Sequence, residues 1–242
     1  MEGAALLGRL TWQLANLIET VPETARVKTL ALDVPEWPGH RTGQHVDVRL
    51  TAEDGYQARR SYSIASGPED PELVLTVERL DEGEVSPYLV DELRAGDELE
   101  LRGPIGGYFI WEEALAGPLL MVAGGSGVVP FRAMLRHHRA IRSTVPVRLL
   151  YSSRSLEDAI YREELLARND VRVALTRAWP DDWSGHRGRR RATERGRVAP
   201  AHSPQIYICG PSAFVEAIAG QLVDIGHDPS RIRTERFGPT GA

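Results

Sequence analysis

Between Trp12 and Arg102 the chain runs in short stretches rich in β-formers or alternating apolar and polar positions. They predict strands over 12–20, 26–33, 45–50, 59–66, 73–80 and 98–102. Turn residues punctuate them: Pro35 to Gly43, Asp54-Gly55, Gly67 to Pro71 and Gly96-Asp97. Short strands at such regular spacing predict an antiparallel β-barrel or sandwich. One helical piece interrupts, Ser86 to Leu93, with Ser86 expected as N-cap and Pro87 at the first helical position.

From Leu119 the pattern changes to apolar strands alternating with helices. Strands are predicted over 119–123, 147–151, 171–175 and 205–209, and helices over 128–141, 156–167 and 212–225. Such alternation predicts an α/β domain with a parallel sheet covered on both faces. The change falls in Trp111 to Pro118. The expected division is therefore 1–113 for the β-barrel and 114–242 for the α/β domain. Residues 178–204 are polar, with Arg187, Arg189, Arg190, Arg191, Arg195 and Arg197 close together. No internal repeat is found.

Composition narrows the class without naming it. Apolar residues at 42% and charged residues at 26% describe a soluble globular chain. A net charge of −5 gives no whole-chain case for nucleic acid or an anionic membrane. One cysteine excludes an internal disulfide and an all-cysteine iron–sulfur cluster. Neither a signal peptide nor a membrane-length apolar segment is present, so a cytoplasmic protein is expected. No metal site is assigned.

Candidate chemistry gathers at the turns. Gly124-Gly125-Ser126-Gly127 joins an apolar strand to a helix with Pro130 in its first turn. Free backbone N–H groups and the helix dipole favour an anion there, and glycine admits a phosphate close to the main chain. Taken alone, that segment reads equally well as a plain tight turn. Arg60-Ser61-Tyr62-Ser63 offers a phosphate-binding fork, an aromatic face and hydroxyl donors. Gly83-Glu84-Val85-Ser86 precedes the short helix and makes a second phosphate candidate. Gly103 to Phe109 is dense in glycine, which suggests a backbone in close contact with something. Cys209-Gly210-Pro211 ends a strand on the sheet edge that carries the Gly124–Gly127 turn, where α/β sheets hold ligands. A lone cysteine is ordinarily a small buried hydrophobe, although a helix N-terminus can lower a thiol pKa.

Arg60-Ser-Tyr-Ser63, Gly103-Pro-x-Gly106, Gly124-Gly-Ser-Gly-x-x-Pro130 and Cys209-Gly-Pro211, in that order and spacing, resemble the ferredoxin–NADP+ reductase superfamily. The resemblance runs from about Trp12 to Phe237. It implies an FAD-binding barrel followed by an NAD(P)-binding domain. Arg60 and Ser61 would then belong to the flavin site, with Arg60 on the pyrophosphate. Tyr62 would stack on the isoalloxazine and Ser63 would lie near its N5. Gly83, Val85 and Ser86 would cover the pyrophosphate from the other side. Gly124, Gly125, Ser126 and Gly127 would receive the NAD(P)H pyrophosphate. Cys209, with Gly210 and Pro211, would sit by the nicotinamide, and Glu235 and Phe237 by the flavin. Ser63, Cys209 and Glu235 would be the groups nearest the reacting atoms.

By the same resemblance, a 2′-phosphate would be met after the second and third strands of the α/β domain. Tyr151-Ser-Ser153-Arg154 and Leu175-Thr-Arg177 stand there, which favours NADPH over NADH through Ser153, Arg154 and Arg177. The implied activity is hydride acceptance from NAD(P)H and delivery of electrons to a separate acceptor, a ferredoxin or another redox protein. With a single cysteine in the sequence, no cysteine-rich electron-transfer domain is expected at either end. Two alternatives are a free-flavin or ferric reductase, and a non-catalytic dinucleotide-binding sensor or assembly subunit. The arginine run over 187–197 is either a solvated loop or a face for an acidic partner. Gly238 to Ala242 follows Phe237, so whether an aromatic covers the flavin is left open.

Overall fold

The computed structural model of the protein describes residues 10–188 and 200–238. Six antiparallel strands form the first half: β1 (Gln13–Thr24), β2 (Val27–Asp33), β3 (His45–Thr51), β4 (Gln57–Ser63), β5 (Leu73–Glu78) and β6 (Glu98–Ile105). Their order is β4-β3-β6-β1-β2-β5. The two end strands meet where Ile64 bridges Leu75, closing the sheet into a barrel. Inward positions such as Leu30, Leu32, Val46, Val48, Ile64, Leu75, Leu99 and Leu101 fill it. Period-two alternation is therefore read correctly as one wet and one dry face.

The second half is a parallel sheet in the order β10-β9-β8-β7-β11-β12. Its strands are β7 (Leu119–Gly124), β8 (Val147–Ser153), β9 (Val171–Leu175), β10 (His186–Arg187), β11 (Gln205–Pro211) and β12 (Ile232–Phe237). The helices are α1 (Val129–Ala140), α2 (Arg162–Leu166) and α3 (Ser212–Asp224). Every residue of β7 is buried because the sheet has cores on both faces. Leu119, Met121 and Ala123 enter one, and Leu120 and Val122 the other. The first of these cores also takes in Val27, Ala65, Phe109 and Trp111, so apolar packing continues across the junction with the barrel.

Polar contacts also join the halves. Arg136 of α1 donates two 2.7 Å hydrogen bonds to Asp70. Buried Tyr161 donates to Thr76 Oγ1 at 2.5 Å, and Tyr207 Oη donates to the Ile110 carbonyl at 2.6 Å.

Several predicted elements change. The helix expected over 156–167 shrinks to α2. Tyr161 takes a left-handed φ of 55°, and the Ile160 N–H is held by Tyr151 Oη at 3.0 Å, so the helix starts only after them. The helix near 86–93 is a short π-type turn over Tyr88–Glu92. Ser86 does not cap it: its Oγ accepts from the Leu80 N–H at 3.0 Å. β10 and β12 are additions. β12 reads IRTERF, a polar edge strand whose pairing with β11 creates it.

Candidate functional site

The order of the parallel sheet reverses between β7 and β11. One strand leads back toward β8 and the other on to β12, which opens a crevice at their carboxyl ends. Gly124 to Gly127 and Cys209 to Pro211 lie on either side of it. Gly125–Val128 forms a 3₁₀ turn that runs into α1, so the glycine turn is itself the helix entrance. A Cβ on Gly127 would collide with the carbonyl of Cys209, and one on Gly124 would lie 2.9 Å from the Phe214 ring. Gly125 has φ +56° and open space where its Cβ would stand. Two of these glycines let the turn pack closely, while the third leaves room for a ligand against the main chain. That arrangement fits a diphosphate.

The barrel presents the end of β4 to the same crevice. Ser63 Oγ donates to Glu235 Oε1 at 3.1 Å, and Glu235 stands opposite Cys209 in the β11–β12 register. The three residues named for the reacting atoms are thus brought together from two domains. Burial pushes the Glu235 carboxyl up, with the Ser63 hydrogen bond pulling the other way. Burial, reinforced by the Glu235 charge, pushes the Cys209 thiol well up. Cys209 is a buried neutral thiol, and the helix N-terminus does not activate it.

On the far side of β4, Arg60 faces the 83–86 segment. The mediator is Glu84, which accepts from Arg60 Nη2 at 3.0 Å and from Tyr56 Oη at 2.6 Å. Val85 is fully buried in the barrel core and Ser86 is buried with its hydroxyl turned to Leu80. The segment therefore presents its backbone outward, with Glu84 as its exposed side chain. Ser61 is engaged elsewhere: its hydroxyl donates to Asp47 Oδ1 at 2.6 Å, and Arg102 grips Asp47 Oδ2 at 2.9 Å. Tyr62 is half-buried against the barrel core, and burial raises its phenol pKa so that it stays neutral.

The reading of the residues missed three groups here. Glu84 stood inside a quoted motif but only as a spacer. Tyr56 looked like an ordinary residue beside a hairpin turn. His45 pairs with Ser63 in the β3–β4 register, and burial lowers its imidazole pKa. An acid in a segment otherwise suited to a phosphate was a signal for the first of them.

At the other end of the crevice, Arg177 N–H donates to the Arg154 carbonyl at 2.9 Å, so the two arginines are neighbours. Both are exposed, and Arg154 approaches Asp158 at 3.5 Å. Ser153 is buried and its carbonyl is taken by Thr176. Phe237 is half-buried opposite Pro211. Of the arginine run only Arg187 is described; it donates to the Trp183 carbonyl at 2.6 Å, and 189–199 lie outside the described residues. Residues 239–242 lie outside them too.

The chain matches known proteins along nearly its whole length. The oxidoreductase FAD-binding domain matches residues 15–110, and the oxidoreductase NAD-binding domain matches 121–220. It is 33% identical over 240 residues to ferredoxin–NADP reductase B of Sorangium cellulosum, covering 92% of this chain and 96% of that one. It is 32% identical over 245 residues to the glycine betaine monooxygenase reductase subunit of Pseudomonas aeruginosa, covering 95% of this chain. The chain spans only 66% of the length of that subunit. Its fold superposes on the Amycolatopsis cytochrome P450 reductase GcoB with a TM-score of 0.83, at 26% identity, over 96% of this chain and 71% of that one. The protein belongs to the ferredoxin–NADP+ reductase family, with an FAD-binding barrel and an NAD-binding α/β domain.

Proposed function

We propose that the protein is an FAD-dependent reductase that takes hydride from NADPH and passes electrons to a separate redox protein. The contact carrying this reading is Ser63 to Glu235. It sets the barrel's candidate flavin-edge residue against the β11–β12 pair, whose β11 neighbours the strand that runs into the nucleotide turn. The flavin, when bound, supplies the chemistry of accepting a hydride and releasing electrons singly. The chain supplies position. Arg60 and the 83–86 backbone hold one diphosphate, and Tyr62 gives its ring to the flavin. The N–H groups of Gly124 to Gly127 hold the other diphosphate, with Gly210 and Pro211 forming the opposite wall. Ser63 directs its one hydroxyl proton to Glu235, which orients the group and leaves its oxygen as an acceptor in the crevice. Cys209 contributes a neutral, water-excluding surface. Phe237 stands at the end of β12 against the same core.

Arg154 and Arg177 are exposed arginines on adjacent strand ends joined through their backbones, which suits a 2′-phosphate and supports NADPH over NADH. Ser153 stays in this reading as a buried support for that pair. The proposed boundary is 113/114, and the proposed location is the cytoplasm. Among the described residues no helix is long and apolar enough to cross a membrane. The relatives' names point to oxygenase or ferredoxin partners, and the acceptor proposed here is of that kind.

The test is anaerobic addition of NADPH to purified, FAD-loaded protein. Bleaching of the flavin band, with electrons recovered in an added ferredoxin, is expected. Protein that takes up no FAD overturns the proposal, and reduction of free flavin in preference to any protein acceptor redirects it.

A further inference from the structure

Among the described residues, Glu84 is the one acidic side chain that meets the guanidinium of Arg60, and it is held there from two sides. Tyr56 Oη donates to one carboxylate oxygen at 2.6 Å, and Arg60 Nη2 donates to the other at 3.0 Å. The backbone beneath is fixed, because Val85 is fully buried and Ser86 Oγ is tied to the Leu80 N–H. Arg60 has a further donor on the Arg59 carbonyl at 2.7 Å. The guanidinium that should meet an anion therefore already has one. The Tyr56 hydroxyl, followed by the Arg60 hydrogen bond and charge, holds the Glu84 carboxyl below its usual range against a raising effect of burial.

We propose that Glu84 is a built-in competitor of the flavin diphosphate, an acidic gate that must leave Arg60 before FAD can take its place. This rests on the reading of Arg60 as the flavin diphosphate ligand. A diphosphate approaching Arg60 meets a neutralised ion pair, and the displaced carboxylate stays nearby as a like charge. Both effects weaken FAD binding. The pair is about half exposed on each side, 51% for Arg60 and 46% for Glu84. Exposed pairs of this kind are weak and screened by salt, so the gate can open. Tyr56 is its latch: it stands just before β4, after the Asp54-Gly55 turn, and holds the carboxylate in place when Arg60 is withdrawn. The gate makes the flavin exchangeable while the remainder of the diphosphate cradle is intact.

The experiment is titration of flavin-stripped protein with FAD, read by quenching of flavin fluorescence at low and high salt. Glu84→Ala and Glu84→Gln are expected to bind FAD about three- to tenfold more tightly than the wild type. The gain should shrink at high salt. Tyr56→Phe, which keeps the ring and loses the latch, is expected to tighten binding by a smaller factor. Glu84→Ala binding with equal or lower affinity overturns the inference, the lower result identifying the carboxylate as a direct FAD ligand. A wild type that binds no FAD overturns the reading of Arg60 instead, and this inference with it. Circular dichroism of the stripped variants confirms that folded proteins are being compared.

Discussion

Ser63 Oγ donates to Glu235 Oε1 at 3.1 Å, linking the last residue of β4 to the middle of β12 across 172 positions of sequence. Neither residue has its role without the other. Ser63 closes a barrel strand, and Glu235 lies on a polar edge strand of a different domain. Their hydrogen bond fixes the Ser63 hydroxyl, with its oxygen free to accept, where the two domains face the crevice. Ser63→Ala should slow bleaching of the bound flavin by NADPH about tenfold or more, with little change in NADPH affinity. Stopped-flow absorbance at saturating NADPH separates the two quantities. An unchanged reduction rate removes Ser63 from the reacting centre.

The paired arginines should decide between the two nicotinamide cofactors. If Arg154 meets a 2′-phosphate as proposed, Arg154→Ala removes a charge-assisted contact worth about 1.5–3 kcal/mol. NADPH efficiency should then fall about ten- to a hundredfold while NADH efficiency stays nearly constant. Steady-state kcat/KM for both donors measures this, and an equal fall for both rules the pair out as the discriminating site.

Gly127 and Gly125 should respond differently to alanine. A Cβ at Gly127 meets the Cys209 carbonyl, a backbone atom that cannot step aside. Gly127→Ala should cost about 1–3 kcal/mol or more in urea unfolding. At Gly125 the space is open but φ is +56°, so alanine there costs only the left-handed backbone preference, about 1 kcal/mol. Its larger effect should be on NADPH affinity, measured by equilibrium titration.

Asp70 and Arg136 tie the barrel to α1 and should shape the acid limb of stability. Burial tends to raise the Asp70 pKa, but the Arg136 fork and the Gly67 N–H more than offset it, so the folded value lies below 3.8. The pair therefore contributes stability above that unfolded value, and the contribution is lost as pH falls through the folded pKa. Glu235 works in the opposite sense. Its folded pKa is above 4.5, so its ionisation favours folding least at high pH and the penalty fades on acidification. Asp70→Asn should lower stability at neutral pH by roughly 1 kcal/mol, the pair being partly exposed, and have little effect in strong acid. Urea unfolding across pH checks both limbs.

Much of the architecture was legible from periodicity. Two-residue alternation marked the barrel strands, solid apolar runs marked β7 and β11, which are buried on both faces, and shorter apolar stretches interrupted by Arg148 and Arg172 marked β8 and β9. Helix 156–167 was misjudged because its spacing is helical while Tyr161 is drawn out of helix by contacts on other elements. β12 carries little apolar signal of its own and becomes a strand by pairing with β11.

The site divides in the same way. Gly124 to Gly127 and Arg60 to Ser63 could be proposed as phosphate candidates because each rests on residues that are neighbours in sequence. What depends on side chains converging from distant strands could not. The Ser63–Glu235 contact, the burial that keeps Cys209 a neutral thiol, and the seating of Glu84 between Tyr56 and Arg60 exist only once the barrel and the sheet have closed. Desolvation and charge act through space, and that space is created by tertiary packing.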